Sequence, residues 1–67
     1  MTDVKLAMLA ALVAKADRNY RFVPESYEMP FILSDEGLRW IRVFDPARRL
    51  YELTDLGRQQ LDLPRRR

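Results

Sequence analysis

The longest rhythm of apolar and polar positions runs through residues 3–17, DVKLAMLAALVAKAD. At 100° per residue, Val4, Leu6, Met8, Leu9, Leu12 and Val13 fill an arc of about 200°, and Ala7, Ala10, Ala11 and Ala14 fill the other side. Ala, Leu, Lys and Met are good helix formers, so this stretch predicts one long helix. Thr2 is its expected N-cap, and Asp3 suits the first turn. So wide an apolar arc exceeds what one small core consumes. The alanine side is therefore either a solvent-facing surface or a close contact with a partner chain, with Val4, Ala7, Met8, Ala11 and Leu12 as interface candidates.

Beyond this helix the pattern changes period. Residues 19–23, NYRFV, alternate and predict a short strand or an extended linker. Pro24-Glu25-Ser26 reads as the first turn of a short helix that Pro30 interrupts. Residues 30–36 form a second short piece, which Gly37 closes as a left-handed residue with Leu38 as its apolar partner. Two β-rich runs follow, residues 39–44 and 50–53, and the Asp45-Pro46 turn signal between them predicts a hairpin over 39–53. Ile41 and Val43 would share one face of its first strand, with Trp40, Arg42 and Phe44 on the other. Trp40 and Phe44 then make either second-layer core or an apolar contact patch. Thr54 caps a last helix from Asp55 to about Leu61. The expected class is α+β, a single domain over residues 1–63 with a basic tail at 64–67.

Composition narrows the chemistry. With 67 residues the chain is one domain, and a core of that size buries only about 60% of the unfolded surface, so oligomerisation would help it. Neither Cys nor His occurs. That excludes disulfides, thiolate metal sites and Ser-His or Cys-His catalysis. The acids are scattered and no loop cradles phosphate, so no enzyme, cofactor or metal is expected. No run approaches the roughly 18 apolar residues of a membrane span, and Asp3 sits where a signal peptide carries positive charge. The expectation is a cytoplasmic protein with no membrane partner. Twelve Lys and Arg face ten Asp and Glu, but Arg65, Arg66 and Arg67 supply the excess.

The C-terminal half carries a family resemblance. The stretch EGLRWIRVFDPARRLYELTDLGRQQL, residues 36–61, resembles the ending of winged helix-turn-helix domains of the MarR and PadR types. In those a Gly-Leu closes the recognition helix, two strands form the wing, and Leu-Thr-x-x-Gly-Arg opens the next helix. Here the matching positions are Gly37-Leu38, residues 40–53 and Leu53-Thr54-Asp55-Leu56-Gly57-Arg58. The resemblance implies that Leu53 plugs the core, Thr54 caps, and Gly57 lets the last helix approach the hairpin. It also implies double-stranded DNA as partner. The chain departs from the family between its first helix and the wing, where residues 18–36 shorten the recognition-helix region. The segment MPFILSDE, residues 29–36, offers no Arg, Lys, Asn or Gln to base edges.

The arginines have competing roles. Arg48 and Arg49, at the wing tip, are the best-placed phosphate contacts, or else a solvated tip. Arg42 is a further candidate nucleic-acid contact; alternatively either it or Arg39, on opposite faces of one strand, pairs with a carboxylate such as Glu52 across the hairpin. Arg58 contacts phosphate or pairs with Asp55 or Asp62. Arg65, Arg66 and Arg67 grip nucleic acid or solubilise. Tyr20, Phe22 and Tyr27 among Arg18 and Arg21 are too few for a stacking surface. The expected function is a small DNA-binding transcription regulator, dimeric through its first helix. The alternative is a protein-binding module, an inhibitor or adaptor, using Trp40, Phe44 and the first helix.

Overall fold

The computed structural model describes residues 3–63, and over them the chain is a mixed α+β fold. Helix α1 spans Val4–Lys15. Its N-cap is Asp3 rather than Thr2, which lies outside the described residues. The Asp3 carboxylate accepts from the backbone N–H of Lys5 at 3.0 Å and of Leu6 at 3.4 Å. One carboxylate thus fills the cap and also faces the positive end of the helix dipole. Only part of the apolar arc is used: Leu9 and Leu12 are buried, while Val4 and Met8 stay exposed at 67% and 39%.

After α1 the chain reverses in a tight turn over residues 17–21. Asp17 organises it, its carboxylate accepting from the N–H of Asn19 at 2.7 Å and of Arg21 at 3.1 Å. Tyr20 sits there at φ 61°, a left-handed conformation that costs a bulky residue free energy, and its side chain is buried. The turn delivers strand β1, Arg21–Phe22. Of the two readings for residues 19–23, the strand is the one realised.

A 3-10 turn at Ser26–Glu28 leads into helix α2, Met29–Ile32. Pro30 does not interrupt it, because it lies in the first turn, where no N–H is needed. The break comes later, at Leu33 and Ser34. Ser34 caps helix α3, Asp35–Trp40, its hydroxyl accepting from Gly37 N–H at 3.2 Å. Gly37 is therefore inside a helix and not a left-handed terminator; no glycine among the described residues has positive φ. Its bareness serves a close approach: a Cβ there would overlap the carbonyl oxygens of Phe31 and Ile32 and come 2.6 Å from the Ile32 carbonyl carbon. Arg39 and Trp40 complete α3 instead of opening the hairpin.

The hairpin is β2, Ile41–Asp45, with β3, Leu50–Leu53. β1 adds to the other edge of β3, giving an antiparallel sheet of order β1-β3-β2. Helix α4, Asp55–Gln60, follows as expected under the Thr54 cap. The Thr54 hydroxyl accepts from Gly57 N–H at 3.1 Å and donates to Arg39 O at 2.7 Å. Gly57 does permit a close approach, but to the end of α3: a Cβ there would overlap Trp40 O and lie 3.1 Å from Trp40 Cα. Leu53, 1% exposed, plugs the core together with Leu9, Leu12, Phe22, Phe31, Ile32 and Ile41. No helix of the described residues is long and apolar enough to cross a membrane.

Candidate nucleic-acid interface

Pairing register decides which side chains share a surface. Arg21 and Arg42 both lie opposite Glu52, one on each side of β3. Residues directly opposite one another project to the same face. Phe44 is the extra residue of a bulge between Val43 and Asp45, and its ring meets Arg21 on this face. The other face carries Phe22, Ile41 and Leu53 into the core. On the outer face Glu52 is only 7% exposed. Arg21 Nε contacts its Oε1 at 3.3 Å, and Arg42 Nε contacts its Oε2 at 2.6 Å. The Arg21 guanidinium also lies 3.7 Å from the centroid of the Phe44 ring, a cation–π contact. A buried carboxylate is costly unless paired, and here both oxygens are engaged.

The hairpin tip does not simply extend this face, because Pro46 and Arg49 line a cavity with Val43 and Tyr51, which lie on the other side of the sheet. Asp45 accepts from the N–H of Ala47 at 3.1 Å and of Arg48 at 3.3 Å, closing the turn as an Asx motif. Arg49 sits at φ 56° and donates its N–H to Pro46 O at 3.1 Å. Arg48 reaches Asp45 at 3.6 Å while its side chain stays 80% exposed. Its pairing with Asp45 is an exposed contact of small worth that a phosphate can replace.

Other candidates fall elsewhere. Arg58 pairs with Asp55, donates to Leu53 O at 3.4 Å and lies near the Tyr20 ring, so it serves the packing of α4. Arg39 donates to Asp35 O at 3.2 Å within α3. Arg65, Arg66 and Arg67 lie outside the described residues. Trp40 does not share a patch with Phe44. The extension of α3 through residue 40 turns its indole into the core at 9% exposure, against Phe31, whereas Phe44 is 45% exposed on the sheet's outer face.

Charge is divided between the two halves of the fold. The sheet and tip hold Arg21, Arg42, Arg48 and Arg49 against Glu52 and Asp45, whereas the rest of residues 3–63 holds five cations against eight carboxylates. On the helical side, Lys5 pairs with Glu36 at 2.8 Å and Lys15 with Glu28. The hydrogen bond from Lys5 holds the Glu36 carboxyl below its ordinary value. Burial pushes Glu28 upward, but hydrogen bonds from Lys15 and from the Glu25 N–H outweigh it and leave a lowered pKa.

Of these residues, the tip position of Arg48 and Arg49 is legible in the sequence, as is an arginine partner for Glu52, but only the structure decides that the partner on β2 is Arg42 and not Arg39. The position of Arg21 is not legible in the sequence, because nothing local in NYRFV says that its strand joins the far edge of β3. Among the described residues no group of three or more metal-ligating side chains comes together. Compared with known proteins, the chain matches no family model, no curated protein and no solved structure at a significant level.

Proposed function

We propose that the chain is a small winged-helix-like module, a cytoplasmic transcription regulator, that binds duplex DNA mainly through phosphate contacts from the hairpin. The element order, first helix, short helices, hairpin and capped last helix, supports the winged-helix reading. The observation that carries the DNA reading is the arginine excess of sheet and tip beside an acidic helical half. In the place of a recognition helix stands α3, six residues long with Asp35 and Glu36 in its first turn. Those acids repel phosphate, so base-edge readout is weak and sequence preference is low. The test is fluorescence anisotropy of labelled duplexes across a salt series. Affinity should fall by about 0.9 log units per log unit of salt for each phosphate neutralised. Arg48→Ala with Arg49→Ala should weaken all duplexes alike and lower that slope by up to about two. No duplex binding at low salt would overturn the reading.

A second reading concerns the first helix. Met8, Ala11 and Leu12 line a groove of about 110 Å³ with Tyr27, Glu28 and Phe31, and Tyr27 is 77% exposed. We infer self-association through this face, in which each copy's Met8 enters the other's groove. Sedimentation of the wild type against Met8→Glu tests it, with a concentration-dependent dimer expected only for the former.

A further inference from the structure

The duplex reading leaves unexplained why a carboxylate is buried between two arginines on an outward sheet face, beside an open aromatic ring. We propose that this face is a binding site for single-stranded nucleic acid, in which Arg21 and Arg42 hold a phosphodiester and Phe44 stacks a neighbouring base.

The geometry supports each part. Glu52 engages both guanidiniums through Nε, which fixes two otherwise mobile side chains next to each other before any ligand arrives. One carboxylate between two arginines leaves one positive charge, and the Arg42 side chain is 65% exposed. Guanidinium geometry matches phosphate oxygens better than a lysine ammonium would. One face of the Phe44 ring is covered by Arg21 at 3.7 Å, and the residue is still 45% exposed. Stacking on that ring requires an unpaired base, which a duplex does not present and a single strand does. An acidic peptide suits the arginines but not the ring, whose negative π-face repels carboxylate. Charge and aromatic surface together fit a single strand.

Within this site Glu52 is a positioning residue, and that gives a test which bare charge cannot imitate. The probe is a fluorescein-labelled oligothymidylate of about 12 nucleotides, within the span one such surface covers, with a labelled duplex run in parallel at low salt. Phe44→Ala should weaken oligothymidylate binding about tenfold, and Phe44→Trp should restore it. Arg42→Lys keeps the charge but should still weaken binding several-fold. Glu52→Gln adds net positive charge, so a simple basic patch would bind more tightly; loss of the arginine alignment predicts weaker binding. Circular dichroism reports whether each variant folds. Should Glu52→Gln not fold, Phe44→Ala and Arg42→Lys, both at exposed positions, decide. The proposal is overturned if the oligonucleotide does not bind, if Phe44→Ala is without effect, if a folded Glu52→Gln binds more tightly, or if polyglutamate competes as well as unlabelled oligothymidylate. Duplex binding without oligothymidylate binding overturns this site alone. The converse overturns the duplex reading and leaves this site standing, because Arg48 and Arg49 act at the tip and Phe44 on the sheet.

Discussion

Replacing Gly37 by alanine sets two effects of opposite sign against each other. Gly37 lies in the interior of α3, where alanine is intrinsically better than glycine by about 1 kcal/mol. Against that, the new methyl would overlap the carbonyl oxygens of Phe31 and Ile32 and lie 2.6 Å from the Ile32 carbonyl carbon. All these neighbours are backbone, so relief requires α2 and α3 to move apart, not a rotamer change. Overpacking of this kind costs about 1–3 kcal/mol, and a clash with two carbonyls belongs at the upper end. The net expectation is a loss of about 2 kcal/mol, a large part of the stability such a small core supplies. In a domain of this size that lowers Tm by about 8–16 °C. Gly37→Asn separates this mechanism from a left-handed helix terminus. A left-handed site tolerates asparagine, whereas the α2–α3 contact rejects it more strongly than alanine. The expected order in thermal melts followed by circular dichroism is glycine, then alanine, then asparagine. An alanine variant as stable as the wild type, or an asparagine variant more stable than alanine, would refute the reasoning.

Three further outcomes can be checked with the same material. Thr54→Ala removes a cap acceptor for Gly57 N–H and a donor to Arg39 O, and should cost about 1–2 kcal/mol in urea unfolding, with Thr54→Ser retaining most of it. The lowered Glu28 pKa means that its pairing stabilises the fold above the ordinary value of 4.5 and is lost as pH falls through the lower folded-state pKa. Glu28→Gln should therefore reduce the urea midpoint at neutral pH, and the deficit should vanish well below pH 4.5; a deficit that persists there would show that the pairing is not its source. Asp17→Ala should release the turn that holds Tyr20 at φ 61°, seen as faster amide exchange at Arg21 and at Leu53, whose N–H donates to Tyr20 O at 3.2 Å.

Elements whose signals are local were legible in the residues. The alanine- and leucine-rich run makes α1 whatever surrounds it, and Leu50–Leu53 and the Thr54-capped α4 follow from side-chain type and cap chemistry. The Asp45 turn closes on its own backbone, so it too could be read. Local signals mislead where two of them compete and packing chooses between them. At residues 34–40 the Ser34 cap and the α2–α3 contact at Gly37 keep the chain helical through Trp40, although Arg39 and Trp40 resemble the strand that follows. That shift of two residues moves Trp40 from the hairpin to the core and removes it from Phe44. The two-residue β1 has too few positions to show a period, so its place beside β3 is decided only by the turn at Tyr20 and the bonds to Leu53 and Glu52. The outer-face cluster depends on that placement. Arg21, Arg42, Phe44 and Glu52 are scattered along 32 residues and become neighbours through strand register and, for Phe44, a bulge in that register, which are properties of paired backbones and not of any one segment.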